Sequence, residues 1–149
     1  MLSLKGLFKK ETRYGDNNLY KINVPSFWVS CSVVKYENKY LSLTGLPKDT
    51  HDFVTELETC VSQDLFKSAC AFSNPYIDTL HVKVPTRYSH IIIPMTDSEQ
   101  RRITSGQLSP GAEIYIEIQP KTAWEVDGHC GVSWTAGSIC LKKTNAELV

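Results

Sequence analysis

The sequence lacks the features that most readily identify an enzyme or a membrane protein. It contains no P-loop and no GxGxxG, HExxH or GxSxG motif, and no acids, histidines or cysteines fall at a spacing that demands chemistry. No apolar run approaches the roughly 20 residues of a membrane span, and residues 1–10, interrupted by Lys5, are too short for a secretory signal. We therefore expect a soluble protein that is not an enzyme, needs no metal or cofactor and has no membrane partner.

Cysteine is present, but not in an arrangement typical of disulfide frameworks or zinc sites. The cysteines are odd in number, show no CxxC spacing and lie in apolar segments, at Cys31, Cys60, Cys70, Cys130 and Cys140. These features favour reduced, mostly buried thiols, which persist in reducing compartments. We expect an intracellular protein, located in the cytoplasm or nucleus of a host cell.

The chain also lacks an excess of either charge. Its 16 lysines and arginines balance 16 aspartates and glutamates, so the net charge offers no argument for a polyanionic partner. The distribution is uneven, because basic side chains dominate residues 1–48 and acidic ones dominate residues 49–77. The amino-terminal third is therefore the basic part of the chain.

What the sequence does contain is a clear strand pattern near its carboxyl end. Ile114, Ile116 and Ile118 alternate with polar residues, which is the period of two expected of a half-buried strand. Asp127-Gly128 predicts a hairpin turn, because both central positions of a type I′ turn need positive φ. Glycines within the next strand, over residues 129–142, predict a bulge or a close backbone approach. The residues predicted to face the interior of a small barrel are Ile114, Ile116, Ile118, Val132 and Ile139.

One helix is predicted between the first strands and the later ones. Asp49-Thr50 offers an N-cap, and apolar residues then recur at steps of three and four over residues 50–71. The acidic residues of this segment occupy the opposite side, which is typical of a solvated face.

Together these patterns predict a β-rich, α+β fold, namely a partly open β-barrel of five to eight strands with one long amphipathic helix. A chain of 149 residues fits one domain. The predicted divisions are a basic irregular arm over residues 1–18, the barrel over 19–143 and a short tail over 144–149.

Aromatic residues interleave with basic ones along several predicted strands. This combination suits single-stranded nucleic acid, because rings stack on bases at about 1–3 kcal/mol each whatever the sequence, while nearby cations follow the phosphates. The alternative is that the rings fill the barrel interior, as Trp and Tyr commonly do. The residues predicted to bind a single strand are Lys35, Lys39, Tyr40, Arg87, Tyr88, Lys121 and Trp124.

The part of the chain over residues 79–143 resembles a known family. A basic strand (KVPTRYSHIII) precedes a polar turn, a strand introduced by Gly111 (PGAEIYIEIQPKTAW) and a final strand (CGVSWTAGSICLKK). This arrangement resembles the OB-fold single-stranded DNA-binding proteins of phages and large DNA viruses, in which a segment similar to Trp124 and residues 131–134 leads into the closing strand. The resemblance implies an OB-like barrel and sequence-independent binding of single strands.

Three functions are compatible with these patterns. The leading prediction is non-catalytic, sequence-independent binding of single-stranded DNA in replication, recombination or repair, in a virus or mobile element. RNA and replication proteins are further candidate partners, and the oligomeric state stays open. The runner-up is a protein-protein interaction module or structural β-barrel, such as a virion component, whose aromatic rings are core. The third is a small nuclease that would use Glu113 and Glu117, which share one strand face.

Overall fold

The computed structural model describes residues 6–10, 18–66 and 71–143. Strands dominate this part of the chain, and the α-helix α1 spans Lys48–Thr59. A single 3₁₀ turn covers Ser105–Gln107. The strands are β1 Phe8–Lys10, β2 Asn18–Ile22, β3 Phe27–Glu37, β4 Tyr40–Thr44, β5 Ala71–Phe72, β6 Leu80–Lys83, β7 Thr86–Arg87, β8 His90–Ile91, β9 Met95–Asp97, β10 Glu113–Val126 and β11 His129–Lys143.

Five of these strands form a closed circuit. β10 pairs with β3, β3 with β4, β4 with β6, β6 with β11, and β11 with β10, so the sheet returns to its starting strand. Each contact is antiparallel except that between β6 and β11, which is parallel and only two residue pairs long. The result is a partly open, OB-like barrel whose first to fifth strands are β3, β4, β6, β10 and β11. The predicted fold class is confirmed.

The barrel interior follows the alternation seen in the sequence. Ile114, Ile116 and Ile118 are fully buried, and Ile139 on the facing strand is buried beside Ile116. Val132 is only partly buried but packs against the same core. A half-buried strand places every second side chain inward, so a local pattern was sufficient to predict the three isoleucines of β10.

The helix differs from its prediction at both ends. It begins at Lys48 directly after Pro47, so Asp49 lies in the first turn, where a carboxylate favours the helix dipole, and is not the N-cap. After Thr59 the chain continues as a π-helical turn to Leu65, in which the Phe66 N–H donates to the Val61 carbonyl at 3.0 Å. Nowhere in residues 6–10, 18–66 and 71–143 is a helix both long and apolar enough to cross a membrane.

Ala71, predicted to be the last helical residue, is a strand residue instead. Its N–H donates to the Gly128 carbonyl at 2.8 Å, and it pairs in parallel with His129. These hydrogen bonds come from strand β11, far along the chain, so the prediction was wrong here because a tertiary partner overrode the local helical pattern.

The expected irregular arm contains a strand within its described part. Phe8–Lys10 pairs antiparallel with Asn18–Ile22, and the latter continues the sheet onto β10. The prediction of irregular structure is therefore wrong for residues 8–10. Residues 1–5 and 11–17 of the arm, and the predicted tail over 144–149, lie outside the described residues.

Candidate nucleic-acid interface

A groove of about 620 Å³ opens where the barrel is least well closed. Strand β11 pairs with β5 only at His129 and Cys130, and with β6 only at Trp134 and Thr135. Between these contacts, residues 131–133 have no partner strand on that side within the described part of the chain. The groove lies against this unpaired stretch. The opening beside residues 131–133 is therefore the candidate binding surface of the barrel.

Trp124 lines the groove and lies on the backbone of Gly131. The two residues are direct cross-strand partners in β10 and β11. A Cβ atom added at Gly131 would lie 2.5 Å from Cζ2 of the indole and 2.8 Å from Cε2. Only a residue without a side chain lets the ring approach so closely. The close backbone approach predicted for this strand is therefore confirmed at Gly131.

Tyr40 and Lys83 line the groove from β4 and β6. They are direct partners in the antiparallel ladder, so their side chains project from the same face of the sheet. Tyr40 is 48% exposed. His81, two residues before Lys83, also lines the groove, and its Nδ1 lies 3.0 Å from Oγ of Ser42. A ring and a cation thus stand side by side and face solvent.

Helix α1 contributes Glu58 to the same groove. Its carboxylate accepts the backbone N–H of Tyr76 at 2.9 and 3.2 Å. The Tyr76 hydroxyl is in turn 2.8 Å from Nδ1 of His51, so two contacts hold the segment around Tyr76 against the helix. Burial raises the pKa of Glu58 to about 7, against the opposing effect of the hydrogen bond from Tyr76.

The charge of the groove therefore depends on pH. Glu58 is partly protonated near neutral pH, which lowers the negative charge that it contributes to the groove. Close to pH 7 the groove presents aromatic rings with a small excess of positive charge. Such a lining is suited to stacking flat, neutral groups while it tolerates a neighbouring phosphate.

The structure places two of the predicted binding residues in the groove, and three more lie close to groove residues along the chain. Tyr40 and Trp124 line the groove itself. Lys39 directly precedes Tyr40 in the β3–β4 turn, and its carbonyl accepts the Val84 N–H at 2.8 Å. The remaining two are Arg87 and Tyr88, in the hairpin that follows β6.

The β7–β8 hairpin begins at Thr86, shortly after the groove residue Lys83. Its base is closed by a hydrogen bond from the Ile92 N–H to the Pro85 carbonyl at 3.1 Å. At its tip Tyr88 and Ser89 adopt positive φ values of 52° and 68°, although type I′ turns favour Asn and Gly. Tyr88 is 90% exposed. A bulky ring is thus held in solvent by a backbone conformation that such residues rarely adopt.

Two predicted residues do not reach the groove. Lys35 is exposed on β3, and its ammonium contacts the carboxylate of Glu37 at 3.2 Å. Lys121 is exposed beside a register shift in β10, between Pro120 and Thr122. The irregularity changes which face of the strand each later residue occupies: the buried positions pass from Pro120 to Ala123, so simple alternation places Lys121 correctly but would turn Trp124 inward.

Lys83 and His81 are groove residues that the predicted site omits. The signal for them was present, since both occupy the polar positions of the alternating segment LHVK. Phe72 and Tyr76 also line the groove, but they come from a segment with no strand or helix period and only the folded chain places them there.

Not every exposed or aromatic candidate belongs to this surface. Trp134 borders the groove, but its side chain is buried and contacts the rings of Phe27 and Phe53, so for this residue the core-filling alternative is correct. Trp28 and Tyr115 are exposed on a different part of the barrel, with ring centroids 5.6 Å apart.

The carboxylates considered for a nuclease have other contacts. Glu117 accepts a hydrogen bond from the Ser26 hydroxyl at 2.7 Å and lies against Gly137. Glu113 lies opposite Ser32 on β3. Among the residues that the structure describes, no group of three or more His, Cys, Asp and Glu side chains is arranged to hold a metal ion.

No protein-family model and no curated protein matches the chain. Two solved structures are similar to it, both of the single-stranded DNA-binding protein from bacteriophage Enc34. A C-terminal truncation of that protein has a TM-score of 0.48 and 14% identity, over 95% of this chain and 98% of that chain. The complex with single-stranded DNA has a TM-score of 0.45 and 13% identity, over 93% and 96%. Both are described as phage single-stranded DNA-binding proteins, which is the class that the sequence resembles.

Proposed function

We propose that the chain binds single-stranded DNA without sequence preference and without catalysis, through the groove and the β7–β8 hairpin. The main observation behind the proposal is that Trp124, Tyr40 and Lys83 line one open groove. The Trp124 ring lies against the backbone of Gly131. Aromatic rings stack on any base, and a lysine beside them attracts the phosphate that follows.

The position of the groove in the barrel supports the same function. OB-folds bind oligonucleotides on the face of their second and third strands and through the loops between strands one and two and between four and five. Here those strands are β4 and β6, which carry Tyr40 and Lys83. The first of the two loops contains Lys39, and the second, Asp127-Gly128, connects Trp124 to Gly131.

The groove supports binding dominated by stacking, because it has several rings but few charges. In this neutral protein we expect a shallow salt dependence, to which each lysine contact adds about 0.7 in log K per log salt. Replication, recombination and repair all expose single strands, so the proposed role is protection or organisation of such strands inside a host cell, in a virus or mobile element.

The test is a fluorescence titration of labelled oligo-dT at two salt concentrations. Tyr40→Ala should weaken binding by about 1–3 kcal/mol with little change in salt slope, whereas Lys83→Gln should flatten the slope by about 0.7. Matched controls are Trp28→Ala, an exposed ring away from the groove, and Lys48→Gln, whose ammonium contacts Asp52 at 2.9 Å. Absence of any binding by the wild-type protein at low salt would refute the proposal.

A second candidate function is protein-protein interaction, and one surface favours it. The exposed rings of Trp28 and Tyr115 lie together, and the Lys142 ammonium is 5.7 Å from the Tyr115 ring centre and bonds the Ser30 hydroxyl. Exposed Trp and Tyr are enriched where proteins meet. If Trp28→Ala abolished self-association or partner capture while oligo-dT binding was absent from the wild type, this function would replace the first.

A further inference from the structure

Two lysines lie directly opposite each other at the edge of the sheet. Lys9 on β1 and Lys21 on β2 are register partners, and both side chains are exposed. Like charges opposite each other on neighbouring strands destabilise a sheet. Within the described residues, neither ammonium has an ion pair or a side-chain hydrogen bond to offset this repulsion. A polyanion bound across the pair would provide the missing compensation.

The lysine pair is aligned with the groove. Lys21 is the partner of Thr122 on β10, and Thr122 is the partner of Ser133 on β11. Direct partners in antiparallel strands project from the same face, so Lys9, Lys21, Thr122 and Ser133 form one row across four strands. Ser133 lines the groove, and Trp124 lies two residues from Thr122 on the same face of β10.

The distance and chemistry of the row suit a continuing single strand. Three strand spacings separate Ser133 from Lys9, or roughly 14 Å. The row contains hydroxyls and ammonium groups but no carboxylate. A strand leaving the groove past Trp124 would meet hydrogen-bond donors first and cations next.

We propose that Lys9 and Lys21 form a phosphate subsite that extends the single-strand path from the groove across β10 and β2 to β1. The inference rests on the proposed function, and it adds a length requirement. An oligonucleotide that fills only the groove should not reach the lysines, whereas a longer one should. OB-folds occupy about 4–16 nucleotides per domain, so both lengths fall within a plausible range.

The experiment compares oligo-dT of about 5 and about 15 nucleotides over a series of salt concentrations. Lys9→Gln with Lys21→Gln should flatten the salt slope for the long oligonucleotide by about 0.7 per lysine and leave the short one unchanged. A double variant with the same charge change, Lys48→Gln with Lys142→Gln, should alter neither slope. Replacing the pair by arginine should preserve the wild-type slope, because arginine keeps the charge.

The outcomes separate the two proposals. If the wild type binds neither length, the proposed function fails and the subsite fails with it. If the wild type binds both lengths and the Lys9/Lys21 variant has the wild-type slope for the long one, only the subsite is refuted. Removing the repulsion should leave the melting temperature unchanged or higher. Should the double variant nevertheless unfold, Lys21→Gln alone is measured with the long oligonucleotide. A salt slope flatter by about 0.7 supports the subsite, and an unchanged slope refutes it.

Discussion

Gly131→Ala tests whether the position of the Trp124 ring against Gly131 matters for binding, and it removes no ring or charge. Gly131 has no positive φ, so its backbone accepts alanine. The new methyl carbon would lie 2.5 Å from Cζ2 and 2.8 Å from Cε2 of the indole, whereas carbon atoms pack best at about 3.5–4.0 Å. The ring must therefore move by about 1 Å. Such overpacking costs about 1–3 kcal/mol when the surroundings cannot adjust.

The displaced ring should bind bases less well. Stacking on one aromatic ring contributes about 1–3 kcal/mol, so full loss corresponds to roughly a 5- to 150-fold rise in Kd. We expect Gly131→Ala to fall within this range, with an unchanged salt slope because no charge is altered. Thermal unfolding followed by circular dichroism verifies that the variant remains folded at the temperature of the titration.

A double-mutant cycle makes the reasoning refutable. In a Trp124→Ala background there is no ring to displace, so Gly131→Ala should affect neither affinity nor stability further. Equal losses of affinity from Gly131→Ala in both backgrounds would show that Trp124 is not the group through which the methyl acts. Unchanged oligo-dT affinity in the single Gly131→Ala variant would show that the position of the indole does not matter for binding.

The remaining predictions concern the core, the groove charge, the hairpin and the thiols. Ile116→Ala should lower the free energy of unfolding in urea by about 2–5 kcal/mol, because the side chain is fully buried. The pKa of Glu58 is about 7 in the folded protein, compared with 4.5 in the unfolded chain. The folded state therefore binds more protons between these values, and the free energy of unfolding should fall as the pH is raised from 4.5 to 7. Glu58→Gln should remove that fall and tighten oligo-dT binding at pH 8. Tyr88→Ala should weaken oligo-dT binding by about 1–3 kcal/mol without changing the melting temperature, because its ring is solvent-exposed. Burial raises the pKa of the Cys31 thiol to about 12, so alkylation in native buffer should leave it unmodified, and intact mass should show no disulfide bridge.

Each of these expectations has a result that contradicts it. An Ile116→Ala variant as stable as the wild type would exclude an inward side chain. The same pH dependence in wild type and Glu58→Gln would assign the titration to another group. A lowered melting temperature in Tyr88→Ala would make the ring structural. Rapid alkylation of Cys31, or a reproducible bridge in reducing buffer, would contradict the buried thiol.

Much of the fold was predictable because its signals are local. Burial alternates along β10 with a period of two, and the interior isoleucines follow directly from that pattern. The Asp127-Gly128 turn has positive φ at both residues, as its sequence predicts. The helix was placed correctly in its middle but not at its ends, since Ala71 took its hydrogen bonds from a strand almost sixty residues away in the sequence.

The candidate site was less predictable than the fold. Tyr40 and Trp124 were named from composition, but the same reasoning applied to Lys35 and Lys121, which the structure places outside the groove. Whether a ring is core or surface depends on the face that its strand presents after any bulge. The shift near Pro120 is an example that alternation alone could not reveal.

The sequence by itself determined the turn at Asp127-Gly128, which isoleucines of β10 are buried, and that aromatic and basic residues occur together. Only the tertiary structure decided that Trp124 lies on Gly131, that Tyr40 stands beside Lys83, and that Lys9 and Lys21 share a row with the groove. The reason is physical. Period and turn chemistry act between neighbours along the chain, whereas cross-strand register and the opening between β6 and β11 depend on how distant segments pack together.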